Sequence, residues 1–123
     1  MAQRERPLAD RIIAYVNARP FSLADKRAGG PHNAGHPDVS GVFCLGLFAD
    51  GTPFSVRLEV EVKRPGQKPR KRQRILIGRW QDVGALSCSA DCFADFLAAA
   101  RVFVRRAAAS GICSLPEDPL LRH

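Results

Sequence analysis

Glu59-Val60-Glu61-Val62-Lys63 is the stretch that decides the fold. Successive side chains of a β-strand point to opposite faces. Phe54, Val56, Leu58, Val60 and Val62 therefore share an apolar face that packs on a core, and Glu59, Glu61 and Lys63 share the other. Acids and a lysine in line are costly to bury without partners. They face either plain water or a metal and a charged substrate.

Outward from this strand, Ala49-Asp50-Gly51-Thr52 is a turn signal, because Asp-Gly supplies the positive φ of a tight hairpin. Residues 38–48 before it read as the partner strand, with Val39, Val42, Phe43, Cys44, Leu45, Leu47 and Phe48. Gly41 and Gly46 within it mark a bulge or a close approach. In an antiparallel hairpin the start of one strand lies opposite the end of the other, so Asp38 converges on Glu61 and Lys63.

After the strand, Pro65, Gly66 and Pro69 break the chain. Residues 70–82 read as a helix with Ile75, Leu76 and Trp80 in an apolar stripe and Gly84 as its stop. Residues 85–88 read as a short buried strand, and Ser89 as the cap of a helix from Ala90 to about Ala109. Phe93, Phe96, Leu97, Ala100, Val104 and Ala107 line one face of that helix. Upstream, residues 5–18 form a helix on Leu8, Ile12, Tyr15 and Val16, with Pro7 in its first turn and Pro20 at its end. Residues 20–36 read as a long loop, and residues 110–123 as a tail without periodicity. The order helix, hairpin, helix, strand, helix defines an α/β fold: a small mixed sheet with a central β-hairpin flanked by helices. One domain spans 1–123, with its core over about 5–109.

Charge is distributed unevenly. Of 19 basic residues, Lys63, Arg64, Lys68, Arg70, Lys71, Arg72 and Arg74 fall in one acid-free run, and the rest balance the 12 acids. A patch carrying the whole net charge of +7 is the footprint of a polyanion partner, although a solvated basic loop would look the same. No apolar run approaches the roughly 20 residues of a membrane span, and Met1 to Pro7 lacks a signal-peptide core, so a cytoplasmic protein is expected. Cys44, Cys88, Cys92 and Cys113 fit small reduced thiols better than a zinc site or a disulfide framework, with Cys88-x3-Cys92 as a metal hint.

Asp38, Glu61 and Lys63 suit phosphodiester hydrolysis. Hard divalent cations choose carboxylate oxygens, waters and phosphate oxygens. Such a cation polarises the phosphate and acidifies a bound water. Lys63, about 7 Å along the same face from Glu61, can orient that water or neutralise the developing charge.

Pro37-Asp38 followed by Glu61-Val62-Lys63 resembles the PD-(D/E)xK nuclease signature. Gly35-His36-Pro37-Asp38, the hairpin, Glu59 to Gly66, Gln73 opening a helix, and Gly84-Ala85 before a strand resemble its VRR-NUC branch, over about residues 30–98. That branch includes standalone phage-type and bacterial nucleases. The resemblance implies a PD-(D/E)xK-like fold with Asp38, Glu61 and the Val62 backbone carbonyl as ligands of Mg²⁺ or Mn²⁺. It makes Lys63 the catalytic lysine and turns Gln73 toward the site. The family's first-helix acid falls on Asp10, with Glu5 as the other candidate. Three roles stand open for Glu59: extending the metal site, touching a second ion, or facing solvent. Arg64, Lys68, Arg70, Lys71, Arg72 and Arg74 would contact DNA phosphates, with His36 as a further contact.

The expected activity is that of a metal-dependent DNA endonuclease, structure-specific on branched DNA such as a Holliday junction and acting as a homodimer. The competing expectations are a non-catalytic nucleic-acid-binding module of the same fold, and a flap or restriction-type nuclease.

Overall fold

The computed structural model describes residues 2–27, 38–116 and 118–121. The β2–β3 hairpin is its centre. β2 (Val39–Leu47) and β3 (Pro53–Val62) pair antiparallel around the Asp50-Gly51 turn, where Gly51 adopts φ 91°. β1 (Leu23–Lys26) adds antiparallel to the outer side of β2, and β4 (Leu86–Ala90) adds parallel to β3, in the order β1-β2-β3-β4. A parallel neighbour needs a crossover, and α2 (Lys71–Asp82) provides it. α1 (Ala2–Ala18) and α3 (Phe93–Ala109) complete the α/β architecture. Among the described residues, no helix is long and apolar enough to cross a membrane.

The apolar side of the sheet packs as its alternation requires. Val39, Phe43, Leu58, Val60 and Val62 join Ile12 and Val16 of α1 and Phe96 and Ala100 of α3 in one core. Phe43 is fully buried, with Tyr15 stacked on it and Phe96 meeting it edge-on. Each side chain so buried contributes about 1.5–3 kcal/mol. Cys88 of β4, aligned with Val60, also packs against this core. Burial, and then the negative charge of Asp95, push its thiol up to about 12 from an ordinary value of 9.0. A thiol held neutral by the fold favours folding below its ordinary pKa, and that contribution is lost as pH rises above it. Thiol titration of the native protein at pH 8 is therefore expected to label Cys92 and Cys113, which are exposed, well before Cys88. Equal rates would show that the β4–core packing opens freely.

Four boundaries differ from the sequence expectation. The long loop holds β1, whose burial is confined to Ala24. Such a short edge strand leaves no alternation to read, and a side chain anchors it. Asn17 of α1 accepts from the Ala24 N–H at 2.8 Å and donates to the Ala24 carbonyl at 3.2 Å, in the manner of a neighbouring strand. Gly41 is the close approach: a Cβ there would lie 2.0 Å from the Leu23 carbonyl oxygen. Gly46 is the bulge, where the register shifts, and a Cβ there would meet the Cys113 carbonyl oxygen at 2.4 Å.

The second difference is Ser89, which lies inside β4 instead of capping α3; Cys92 holds the N-cap position. β4 also outruns residue 88, because its pairing with β3 continues to Val62↔Ala90. Lastly, α1 begins at Ala2, so Pro7 lies within the helix and not in its first turn.

Candidate active site

The register decides which charged groups meet. Val39 pairs with Val60, so the next position outward sets Asp38 across from Glu61. Asp38 closes the contact itself: its Oδ2 accepts the Val62 N–H at 2.9 Å. In an extended strand a residue's N–H and C=O point to the same side, so the Val62 carbonyl is directed to the Asp38 edge as well. Lys63 continues the ladder beyond β3, donating its N–H to the Ala90 carbonyl at 2.8 Å. Asp38, Glu61, the Val62 carbonyl and Lys63 are thus gathered at the open mouth of the hairpin.

The charged face of β3 is not a water face. Glu59 is 0% exposed, Glu61 4% and Lys63 8%. α2 packs on this side of the sheet: its Trp80 ring lies under the Arg57 guanidinium, 4.5 Å away. Ser87 and Ser89 of β4 stand beside Glu59 and Glu61. Solvent is therefore excluded as the main neighbour of Glu59. Its Oε2 accepts from Ser40 Oγ at 2.7 Å. Its Oε1 accepts from Arg57 Nε at 3.0 Å and Nη2 at 2.8 Å, with Arg27 Nη2 at 3.4 Å.

A hard dication fits the donor set of Asp38, Glu61 and the Val62 carbonyl. All its atoms are oxygens, the type Mg²⁺ and Mn²⁺ choose. Asp38 spends Oδ2 on the Val62 amide, and its Oδ1 accepts no hydrogen bond among the described residues.

Other expected members lie elsewhere or have other work. Asp10 is exposed and paired with Lys26 of β1 at 2.9 Å, and α1 lies across the sheet from the Glu61 face. The structure thus gives Asp10 a surface ion pair of small worth. The Glu5 side chain and His36 lie outside the described residues. Gln73 is half-buried in the first turn of α2, where its Oε1 accepts the Arg70 N–H at 2.8 Å. That bond satisfies a backbone donor next to the helix start.

The basic run follows Lys63 directly and continues into the first turn of α2. Lys68, Arg70, Lys71, Arg72 and Arg74 are exposed, Arg64 is half-buried, and none of the six forms an ion pair among the described residues. The turn after Lys63 is pinned by Asp91, which accepts the Gly66 N–H at 2.9 Å. That bond, with help from Asp95, holds the Asp91 carboxyl below its ordinary pKa. The contact therefore stabilises above the usual carboxylate range and is lost as pH falls through the lowered value.

Asp91, Cys92 and Asp95 bring possible ligand atoms within 4.8 Å of one another where β4 passes into α3. The sequence hint at Cys88-x3-Cys92 named the wrong companion: Cys88 packs on the core face and Cys92 is exposed with the two acids. Acids at a helix start are favoured by the helix dipole with no metal present. The part played by Ser40 was also missed, since a serine inside an apolar strand carries no motif.

No protein-family model matches the chain, and no curated protein matches it closely enough to count as a relative.

Proposed function

We propose that this chain is a Mg²⁺- or Mn²⁺-dependent DNA endonuclease with a PD-(D/E)xK architecture of the VRR-NUC type. The observation that carries the reading is the closure of Asp38 on the Val62 amide, directly across from Glu61. It unites the two halves of the motif from residues 24 apart in sequence.

The bound cation would supply Lewis acidity and an acidified water. The protein's own groups do the rest. Asp38 and Glu61 would hold the cation in fixed orientation, the Val62 carbonyl adding a third oxygen. Lys63 sits on the Glu61 face and would stabilise charge developing on the phosphate. Arg64, Lys68, Arg70, Lys71, Arg72 and Arg74 would seat the DNA backbone. α2 has no acid in its first turn and opens with Lys71, Arg72 and Arg74 instead. Cations there oppose the helix dipole, and a DNA phosphate would relieve that opposition.

A basic run of this kind would meet phosphates and not base edges, so the substrate would be recognised by backbone and shape, which favours branched DNA. Symmetric cutting of a four-way junction requires two sites, and a homodimer supplies them. The dimer and the junction rest on the resemblance.

The test is cleavage of labelled junction, flap, linear duplex and single-stranded DNA with Mg²⁺ or Mn²⁺. Metal-dependent cutting, strongest on junctions, is expected. Binding should fall with salt at a log–log slope of about −5 if all six cations meet duplex phosphates. Salt-sensitive binding without cleavage under either metal would instead make the chain a non-catalytic DNA-binding module. Discrete fragments from plasmid DNA would make it a sequence-specific nuclease.

A further inference from the structure

Glu59 is a fully buried carboxylate on the strand that carries the proposed metal ligand Glu61, yet all of its contacts run to other elements or along its own strand. Its partners are Ser40 of β2, Arg57 of β3 and Arg27, the residue just after β1. Arg27 is gripped twice. Its Nη2 donates to Ser40 Oγ at 2.7 Å as well as reaching Glu59, and its backbone N–H donates to the Asp38 carbonyl at 2.8 Å. Arg57 donates both Nε and Nη2 to the one oxygen Oε1 of Glu59, and its guanidinium lies 4.5 Å from the centre of the Trp80 ring of α2. One buried carboxylate therefore joins β1, β2, β3 and the helix that carries the basic run.

These contacts also argue against Glu59 as a metal ligand. Both oxygens already accept hydrogen bonds. Two guanidinium groups surround one carboxylate, so the local charge is positive and opposes a second dication. Arg27 stays in place although its buried Nε has no hydrogen-bond partner among the described residues. The bonds to Glu59 and Ser40 offset that cost.

We infer that Glu59 is a positioning residue, holding Asp38 over the Val62 amide through Ser40 and Arg27, and tying the site strand to α2 through Arg57 and Trp80. The inference rests on the reading of Asp38 and Glu61 as the metal-binding pair. Carboxylates that orient metal ligands without touching the ion typically change metal affinity or activity 10- to 100-fold when removed.

The Val62 amide proton is a direct reporter, because Asp38 is its acceptor. In the ¹⁵N-labelled protein, Glu59→Gln should move that resonance upfield toward its position in Asp38→Ala. The Mn²⁺ dissociation constant should rise roughly 10-fold or more. In the cleavage assay kcat should fall while KM for DNA stays near wild type. Ser40→Ala, which removes one neutral hydroxyl, should shift the same signals in the same direction and serves if Glu59→Gln does not fold. Unchanged Val62 resonance and Mn²⁺ affinity in the folded variants would overturn the inference. So would loss of the Arg57 Nε–H signal on adding Mg²⁺ to wild type, which would make Glu59 a ligand. The resonance needs no cleavage to be read. A protein that cuts nothing would sink the nuclease reading and leave the positioning role to be decided by Val62.

Discussion

Glu61→Gln is expected to abolish cleavage, with kcat lowered by about 10³-fold or more, while junction binding stays within about twofold of wild type. Glutamine keeps the volume and one oxygen but loses the charge. The exchange therefore strips the site of half its anionic character without disturbing β3, whose pairing to β2 and β4 is made by the backbone. Binding should survive because the cations proposed to carry it, from Arg64 to Arg74, lie outside β3. Lys63→Ala should cost about 10²–10³-fold in kcat by removing one preorganised cation, with a small loss of affinity from the charge itself. Single-turnover cleavage beside a binding titration separates the effects. Wild-type turnover in Glu61→Gln would sink the site assignment, and a parallel collapse of binding would point to misfolding.

The largest stability effect is expected at Arg19. This residue just after α1 is 8% exposed, lies 4.7 Å over the Phe43 ring, and donates Nε to the Cys44 carbonyl at 2.9 Å. Its Nη1 reaches Asp118 at 3.3 Å, and the same Asp118 oxygen accepts from Tyr15. Burial and the neighbouring Asp118 charge hold the Tyr15 hydroxyl in its protonated, donating form. Arg19→Ala leaves a buried carbonyl and a half-buried carboxylate without their cation. Breaking such a pair costs about 3–5 kcal/mol, or a fall in Tm of roughly 10–20 °C for a domain of this size. The tail beyond Cys113 should also become sensitive to protease before the rest of the chain, because Asp118 ties it to α1. Leu120→Ser, at a residue 45% exposed, is the control and should change Tm little. Thermal unfolding followed by circular dichroism measures both. A Tm within a few degrees of wild type for Arg19→Ala would show that the clasp is not held in solution.

The legible parts of the chain were those written in local chemistry. The Asp50-Gly51 turn and the alternation from Phe54 to Val62 specify the hairpin, and its register follows closely enough to set Asp38 across from Glu61. Gly41 and Gly46 were marked as irregular, and the structure assigns one to each of the two meanings. What was illegible depends on contacts distant in sequence. β1 exists because Asn17 and the bare backbone at Gly41 receive it, and neither leaves a pattern within residues 23–26. Ser89 resembles a helix cap until β3 is laid beside it. Glu59 and Glu61 are identical in sequence terms, two acids on one face, and only their neighbours separate them. The guanidinium groups of Arg27 and Arg57 meet Glu59, whereas Glu61 lies one step past the Val39–Val60 pair, at the end where Asp38 enters the sheet. Asp10 is the nearest first-helix candidate that the resemblance offers, but α1 packs on the other side of the sheet.

The hairpin also sets an order of events. Its turn at residues 49–52 makes the shortest connection between paired strands among the described residues, and pairing that starts there would advance one rung at a time toward the mouth. Asp38 and Glu61 lie one step past Val39–Val60, the rung farthest from the turn and beyond the irregular step at Cys44 to Gly46. On that route they would be the last part of the hairpin to be brought together. A cation held between them would act as a clasp on a zipper. It would slow opening at the mouth and leave the rate of closing at the turn untouched, because its binding energy becomes available only after the remaining rungs have formed.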